Sequence, residues 1–284
     1  MKNPEVVSNF RPISLCNVNY KIISKILVSR IKPLLDSCIS KNQRAFAPRR
    51  SIQDNILIAH EIFVSFKSKK GRKGAMAIKL DLEKAYDFLG CDYIKEVLSK
   101  FGFNDHWIKL IMECITSTSF SILINGKSHD YFCSSKGIRQ GDPLSPYIFI
   151  LCMEPLIRHL DKLGNSPKSN FGVLTAPRGY IISNLLFADD CLIFAHATGI
   201  VARNIARVLE EFANASGQKI NYHKSSLYFS NNTSNNIRND NFNILAIQHK
   251  TTIGRYLGIH NIIFWWDQVN SKELIIKIKN KLAG

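Results

Sequence analysis

The stretch Ser183-Asn184-Leu185-Leu186-Phe187-Ala188-Asp189-Asp190-Cys191-Leu192-Ile193-Phe194-Ala195-His196 constrains this chain more than any other. Two apolar, β-prone runs, residues 180–187 and 191–195, flank Ala188-Asp189-Asp190, which predicts a hairpin whose tight turn carries two adjacent carboxylates. Adjacent acids repel, so placing them between strands that seek burial requires either solvent to screen the repulsion or bound cations to cancel it. Aspartate is common in solvated turns, and this stretch alone leaves both readings open.

The formal net charge of +16 is the second constraint, because such an excess suits a polyanionic partner such as nucleic acid better than a membrane surface. At 45% hydrophobic and 21% charged residues over 284 positions, the chain is globular and long enough for one large domain or two closely joined subdomains. No stretch is long and charge-free enough to span a bilayer, and the start has no apolar signal region, so the expectation is an intracellular protein with no membrane partner. The cysteines form no C-x-x-C pair and the histidines no H-E-x-x-H, so neither a disulfide framework nor a zinc site is signalled.

Periodicity predicts the elements. Helices are expected over residues 19–31, with Ile22, Ile23, Ile26, Leu27 and Ile31 on the buried face, over 52–66, and near 92–100 and 105–116. Between the second helix and a strand over 76–82 lies a basic loop with Lys67, Lys69, Lys70, Arg72 and Lys73, either a soluble connector or a phosphate-contacting loop. That strand alternates, Met76, Ile78, Leu80 and Leu82 against Ala77, Lys79 and Asp81, so Asp81 sits near its end on the polar face. Asn125-Gly126 marks a hairpin between 119–124 and 127–133. The loop Gly137-Ile138-Arg139-Gln140-Gly141-Asp142-Pro143-Leu144-Ser145-Pro146 opens a long apolar helix to about Leu163, and residues 164–179 read as loop. Beyond the acidic hairpin, 200–215 is an amphipathic helix stopped by Gly217, 218–229 is strand-like, 230–243 reads as a loose asparagine-rich loop, and 271–282 is a basic helix.

Arg11-Pro12-Ile13-Ser14-Leu15, the run from Asp81 to Asp87, the run from Gly137 to Pro146, Phe187-Ala188-Asp189-Asp190 and Tyr256-Leu257-Gly258 occur in the order and approximate spacing of one family. The chain resembles the reverse transcriptase of LINE-type (non-LTR) retrotransposons, especially those of plant genomes. The resemblance implies an α+β right-hand polymerase fold, fingers and palm interleaved over residues 1–263 and the start of a thumb over 264–284, with a small antiparallel palm sheet backed by helices. It also implies a fragment of a larger polyprotein, nuclear residence, and RNA template, DNA primer and dNTPs as partners.

The chemistry implied is nucleotidyl transfer, in which two divalent ions about 3.5–4 Å apart activate a primer hydroxyl and hold the developing charge. Magnesium, with manganese as a substitute, takes hard oxygen ligands and keeps substrate phosphates in its shell, so a few carboxylates suffice. By resemblance Asp81 and Asp189 are the core ligands and Asp190 a third. Arg11 and Lys21 match triphosphate contacts, with a surface ion pair as the alternative. Gln140 matches a position beside the nascent base pair, Lys224 one that protonates pyrophosphate, and Tyr256-Leu257-Gly258 the primer grip. The respective alternatives are a structural glycine turn opening a helix, a solvated lysine and an ordinary strand end. Tyr86 matches the gate against a 2′-hydroxyl, with plain packing of helix on sheet as the alternative. Arg49 and Arg50, with Lys69, Lys70, Arg72 and Lys73, are expected to line a template channel. The chain departs from the family at Phe88-Leu89-Gly90-Cys91 and at Arg49, so a non-catalytic remnant that only binds nucleic acid stands as the second reading.

Overall fold

The computed structural model describes residues 14–164, 171–175, 179–251 and 255–260. Arg11, the expected helix over 271–282 and the thumb over 264–284 lie outside the described residues.

The described chain runs α1 (Val18–Ile31), a 3-10 turn, α2 (Leu35–Cys38), α3 (Ile52–Ser68), β1 (Ala75–Leu80), α4 (Ala85–Phe88), α5 (Cys91–Lys100) and α6 (Asp105–Thr116). The hairpin β2 (Ser119–Ile124) and β3 (Lys127–Cys133) follows, then α7 (Ser145–Gly164), β4 (Val173–Leu174), β5 (Ile181–Ile182), β6 (Asn184–Phe187) and β7 (Asp190–His196). The rest is α8 (Gly199–Ser216), β8 (Ser226–Phe229), α9 (Asn235–Leu245), β9 (Arg255–Tyr256) and β10 (Ile259–His260).

Four strands form the central antiparallel sheet, in the order β6-β7-β1-β8. Its side-chain alternation divides the interior in two. Met76, Ile78 and Leu80 of β1, Cys191 and Ile193 of β7 and Leu227 of β8 point to one face, which packs on Ile94 and Leu98 of α5, Ile148, Leu151 and Cys152 of α7, and Ile205 and Val208 of α8. Ala75, Ala77, Leu192, Phe194 and Tyr228 point to the other and pack on Ala59, Ile62, Phe63 and Phe66 of α3. Phe63 meets Phe194 and Tyr228 edge-on, with centroids 5.9 and 6.0 Å away, the geometry the ring quadrupoles favour. The β1 face expected to be polar is therefore buried at Ala75 and Ala77 and becomes polar only from Lys79 onward.

Three expectations need correction. Helix α1 buries Ser24, Leu27, Val28 and Ile31, while Ile22, Ile23 and Ile26 are exposed. A polar contact sets that rotation, because the Ser24 hydroxyl donates to the buried Asp142 carboxylate at 2.5 Å. Residues 218–229 are not one strand. An isolated bridge from Ile220 to Leu82 is followed by a turn in which the Asn221 side chain accepts from the Lys224 amide at 3.1 Å, and only β8 is extended. Residues 230–243 are not a loose loop. Asn231 and Asn232 bond the basic loop, and α9 packs on α8.

Candidate active site

The acidic hairpin forms as its pattern predicts. Phe187 and Asp190 close a two-residue turn of Ala188 and Asp189. Ala188 has φ +56°, and Asp189 is not in the positive region, so the turn has the II′ sign pattern that usually puts glycine first. The strand it starts, β7, runs beside β1, and their ladder ends at the pair Leu80 and Cys191. One step further, the same register sets Asp81 across from Asp190, and residues opposite each other on paired strands point to the same face. The two carboxylates, more than 100 positions apart in the chain, thus share one end and one face of the sheet.

Electrostatics follows from that placement. The Asp190 carboxyl is held above the ordinary carboxylate range, first by burial, then by Asp189, and also by Asp81. Lys79, on the same face as Asp81, opposes the rise. Lys79 is a participant that strand alternation put on the right face but that carried no motif to single it out. The Asp81 amide donates to the Ser225 hydroxyl at 3.0 Å, and its carbonyl accepts from the Asn221 amide at 2.9 Å, so the turn carrying exposed Lys224 is tied to Asp81.

Tyr86 stands on α4 beside this end of the sheet. Its ring stacks on Phe149, centroids 5.0 Å apart and planes 12° from parallel, and burial followed by the Asp189 charge pushes its hydroxyl up to about 12. The loop before α7 locks α4 in place: the Gly137 amide donates to Leu89 O at 2.7 Å and the Ile138 amide to Tyr86 O at 2.8 Å. Gly137 has φ +91°, and a Cβ there would lie 2.8 Å from Asp87 O, so only glycine fits. In the same loop, Gln140 O accepts from the Ser14 amide at 3.0 Å, and Asp142 is held by Tyr20, Ser24 and the Leu144 amide. Phe88, where the chain departs from the family pattern, lies under two cations, Lys136 at 5.0 Å and Lys219 at 4.8 Å.

Other candidates sit elsewhere. Tyr256 is fully buried on the α3 side of the sheet, close enough to Asp190 to feel its charge, and its hydroxyl is raised well above its ordinary value mainly by burial. Leu257 and Gly258, both at positive φ, form the turn between β9 and β10, so any contact made by this segment falls to the turn and not to the Tyr256 ring. Lys21 is exposed on α1. The basic loop enters β1 at the end opposite Asp81, near His196 at the far end of β7, which is held below its ordinary range first by burial and then by the charges of Lys69 and Lys73. A strand of six residues separates them from the acids by about 20 Å. Arg49 is exposed and pairs with Asp36 at 2.8 Å. Arg50 is half-buried. Its guanidinium donates to the carbonyls of Ser40, Gln43 and Ile39, at 2.5, 2.7 and 3.2 Å, and staples the backbone there.

Sequence reasoning passed over Gln43, which is fully buried. Its side-chain oxygen accepts from the Ala188 amide at 3.1 Å and the Ala45 amide at 3.0 Å, and its nitrogen donates to Ala188 O at 3.4 Å. A lone glutamine in the polar run from Ser40 to Arg44 gives no sign of this, because its partner lies 145 positions away.

The donor chemistry fits a hard divalent cation: carboxylate oxygens only, and mutual repulsion at Asp190 that positive charge would relieve. Among the described residues no group of three or more His, Cys, Asp or Glu is close enough to hold an ion alone, so Asp81, Asp189 and Asp190 are a partial ligand set, not a closed cage. No described helix is long and apolar enough to cross a membrane.

The chain is 29% identical over 222 residues to the transposon TX1 uncharacterized 149 kDa protein of Xenopus laevis, covering 78% of this chain and 16% of that one. It is 31% identical over 188 residues to the retrovirus-related Pol polyprotein from the type-2 retrotransposable element R2DM of Drosophila melanogaster, covering 66% and 16%. The chain therefore spans about a sixth of the length of these relatives, which are proteins of non-LTR retrotransposons. Among solved structures, telomerase from Candida tropicalis in complex with a fragment of telomeric RNA superposes with a TM-score of 0.56 at 14% identity, over 85% of this chain and 36% of that one. That likeness establishes the right-hand polymerase fold. Residues 1–261 match the family described as reverse transcriptase (RNA-dependent DNA polymerase), and the chain belongs to that family.

Proposed function

We propose that this chain is the catalytic module of an RNA-directed DNA polymerase that extends a DNA primer on an RNA template by adding dNTPs. The observation that carries the reading is the convergence of Asp81 and the Asp189-Asp190 turn on one end and one face of the central sheet. Two divalent cations bound there would activate the primer 3′-hydroxyl and neutralise charge on the α-phosphate and the leaving pyrophosphate. Asp81 and Asp189 would hold them, with Asp190 a third ligand whose raised affinity for protons reflects first its burial and then the like charge of Asp189. Tyr86, stacked on Phe149 and facing Asp189, bounds the space for the nucleotide sugar. Gln140 and its loop flank the nascent base pair, Arg11 and Lys21 contact the triphosphate, and Lys224 donates a proton to pyrophosphate. The turn at Leu257 and Gly258 supports the primer. The basic loop, about 20 Å along the sheet from the acids, contacts template phosphates upstream of the reaction.

Primer extension on an RNA template with magnesium tests this, run with the native chain and with Asp189→Asn. Extension by the native chain and none by the variant is expected. Equal blanks would leave only a nucleic-acid-binding module.

A further inference from the structure

Ala188 adopts φ +56° in the turn that aims Asp189 and Asp190. A residue with a Cβ is disfavoured in that region, and such strain persists only where neighbours over-determine the conformation. Gln43 does so. Its amide bonds both backbone groups of Ala188, accepting from the N–H at 3.1 Å and donating to the C=O at 3.4 Å.

The platform under Gln43 is itself fixed. The Arg44 amide donates to Leu186 O at 3.0 Å and the Leu186 amide to Asn42 O at 2.9 Å, so residues 42–44 lie along β6 as a short parallel addition. The buried carboxylate of Glu154 accepts from the Ser40 amide at 3.0 Å and its hydroxyl at 2.5 Å, and Arg50 staples the carbonyls of Ile39, Ser40 and Gln43. On the other side, the Asn55 side-chain nitrogen donates to Leu186 O at 2.9 Å. A glutamine held this firmly transmits its position to whatever it bonds.

We propose that Gln43 is a positioning residue that clamps Ala188 in its left-handed conformation and so presents Asp189 and Asp190 to a shared divalent cation. The inference rests on the polymerase reading for the identity of the ligand, but it concerns the turn and is tested on the turn. If the clamp pays the conformational cost of Ala188, a glycine at 188, which adopts positive φ freely, makes the clamp unnecessary.

The experiment measures Mn2+ binding by the electron paramagnetic resonance of free Mn2+, with thermal unfolding recorded alongside. Four full-length chains are compared: native, Gln43→Met, Ala188→Gly and the double variant. Methionine keeps the buried volume and removes the amide. Gln43→Met should weaken Mn2+ binding by about tenfold, the scale of one strained backbone residue released, and the double variant should regain most of that loss. Mn2+ affinity unchanged in Gln43→Met, or a loss that Ala188→Gly fails to rescue, overturns the proposal. Should Gln43→Met fail to fold, folding and binding by the double variant support the clamp, and failure of both counts against it. A native chain that binds no Mn2+ even with a deoxynucleoside triphosphate present sinks the polymerase reading instead, an outcome distinct from equal binding by native and Gln43→Met.

Discussion

Tyr86 lies parallel to Phe149, ring on ring at 5.0 Å, with its hydroxyl close enough to Asp189 to be raised by that charge. One side of the ring is thus core and its tip is site. Tyr86→Phe keeps the stack and should leave stability within about 1 kcal/mol of native. Tyr86→Ala removes it and should cost about 3 kcal/mol in denaturant unfolding. If the ring also bounds the sugar pocket, Tyr86→Ala should raise ribonucleotide use relative to deoxyribonucleotide in primer extension, while Tyr86→Phe should not. Unaltered discrimination in the alanine variant would make Tyr86 a packing residue alone.

The burial and crowding of the Asp190 carboxyl have an effect whose sign can be measured. Its carboxyl is raised in the fold above the ordinary value of 3.8, so the native state holds more protons than the unfolded state just above that value. Stability therefore falls as pH rises through the folded titration, and the favourable contribution is fully present only below the ordinary value. With divalent ions chelated, Asp190→Asn should unfold at a higher temperature than the native chain at neutral pH, and the gap should close on acidification. An asparagine variant less stable at neutral pH would show that the acids are not in conflict.

Gly137 and Gly102 separate two costs that glycine can hide. Both have positive φ, but a Cβ at 137 would meet Asp87 O at 2.8 Å, whereas one at 102 meets nothing within 4 Å. Gly102→Ala should cost about 1 kcal/mol, the conformational penalty alone, and Gly137→Ala about 1–3 kcal/mol more as the loop is pushed off α4. Denaturant midpoints for the two variants check the difference. Equal midpoints would mean that the loop moves freely.

These relationships differ in how far the sequence announced them. The acidic hairpin and the face of Asp81 were legible because strand alternation and turn chemistry are local, and the approach of the two followed from the family resemblance. The exposed Ile22, Ile23 and Ile26 were misread because helical period gives a stripe but not which of two adjoining stripes is buried, and the hydrogen bond from Ser24 to Asp142 decides that. Residues 230–243 were misread because asparagine composition suggests solvent, whereas the Asn231 and Asn232 side-chain amides bond backbone carbonyls at the end of α3 and in the loop after it. Arg50 and Gln43 carry the same lesson: both side chains act on backbone groups, which leave no trace in residue types.

That second case leads to a test of the basic loop. Asn232 donates to the carbonyls of Gly71 and Lys73 at 2.9 and 3.1 Å, and Asn231 to that of Lys67 in the last turn of α3 at 2.8 Å, so the loop and the helix end that leads into it have a fixed backbone beneath their cations. Affinity for RNA should then depend on two separable things, the number of cations and the shape that presents them. The slope of log affinity against log salt counts cations, each lost phosphate contact lowering it by about 0.7 to 0.9. Neutralising Lys69, Lys70, Arg72 and Lys73 together should flatten the slope as well as weaken binding. Asn232→Ala removes no charge; it should weaken binding at every salt concentration and leave the slope close to native. Filter binding across a salt series reads both quantities. A slope unmoved by the fourfold neutralisation would make the loop a connector, whatever the net charge of the chain.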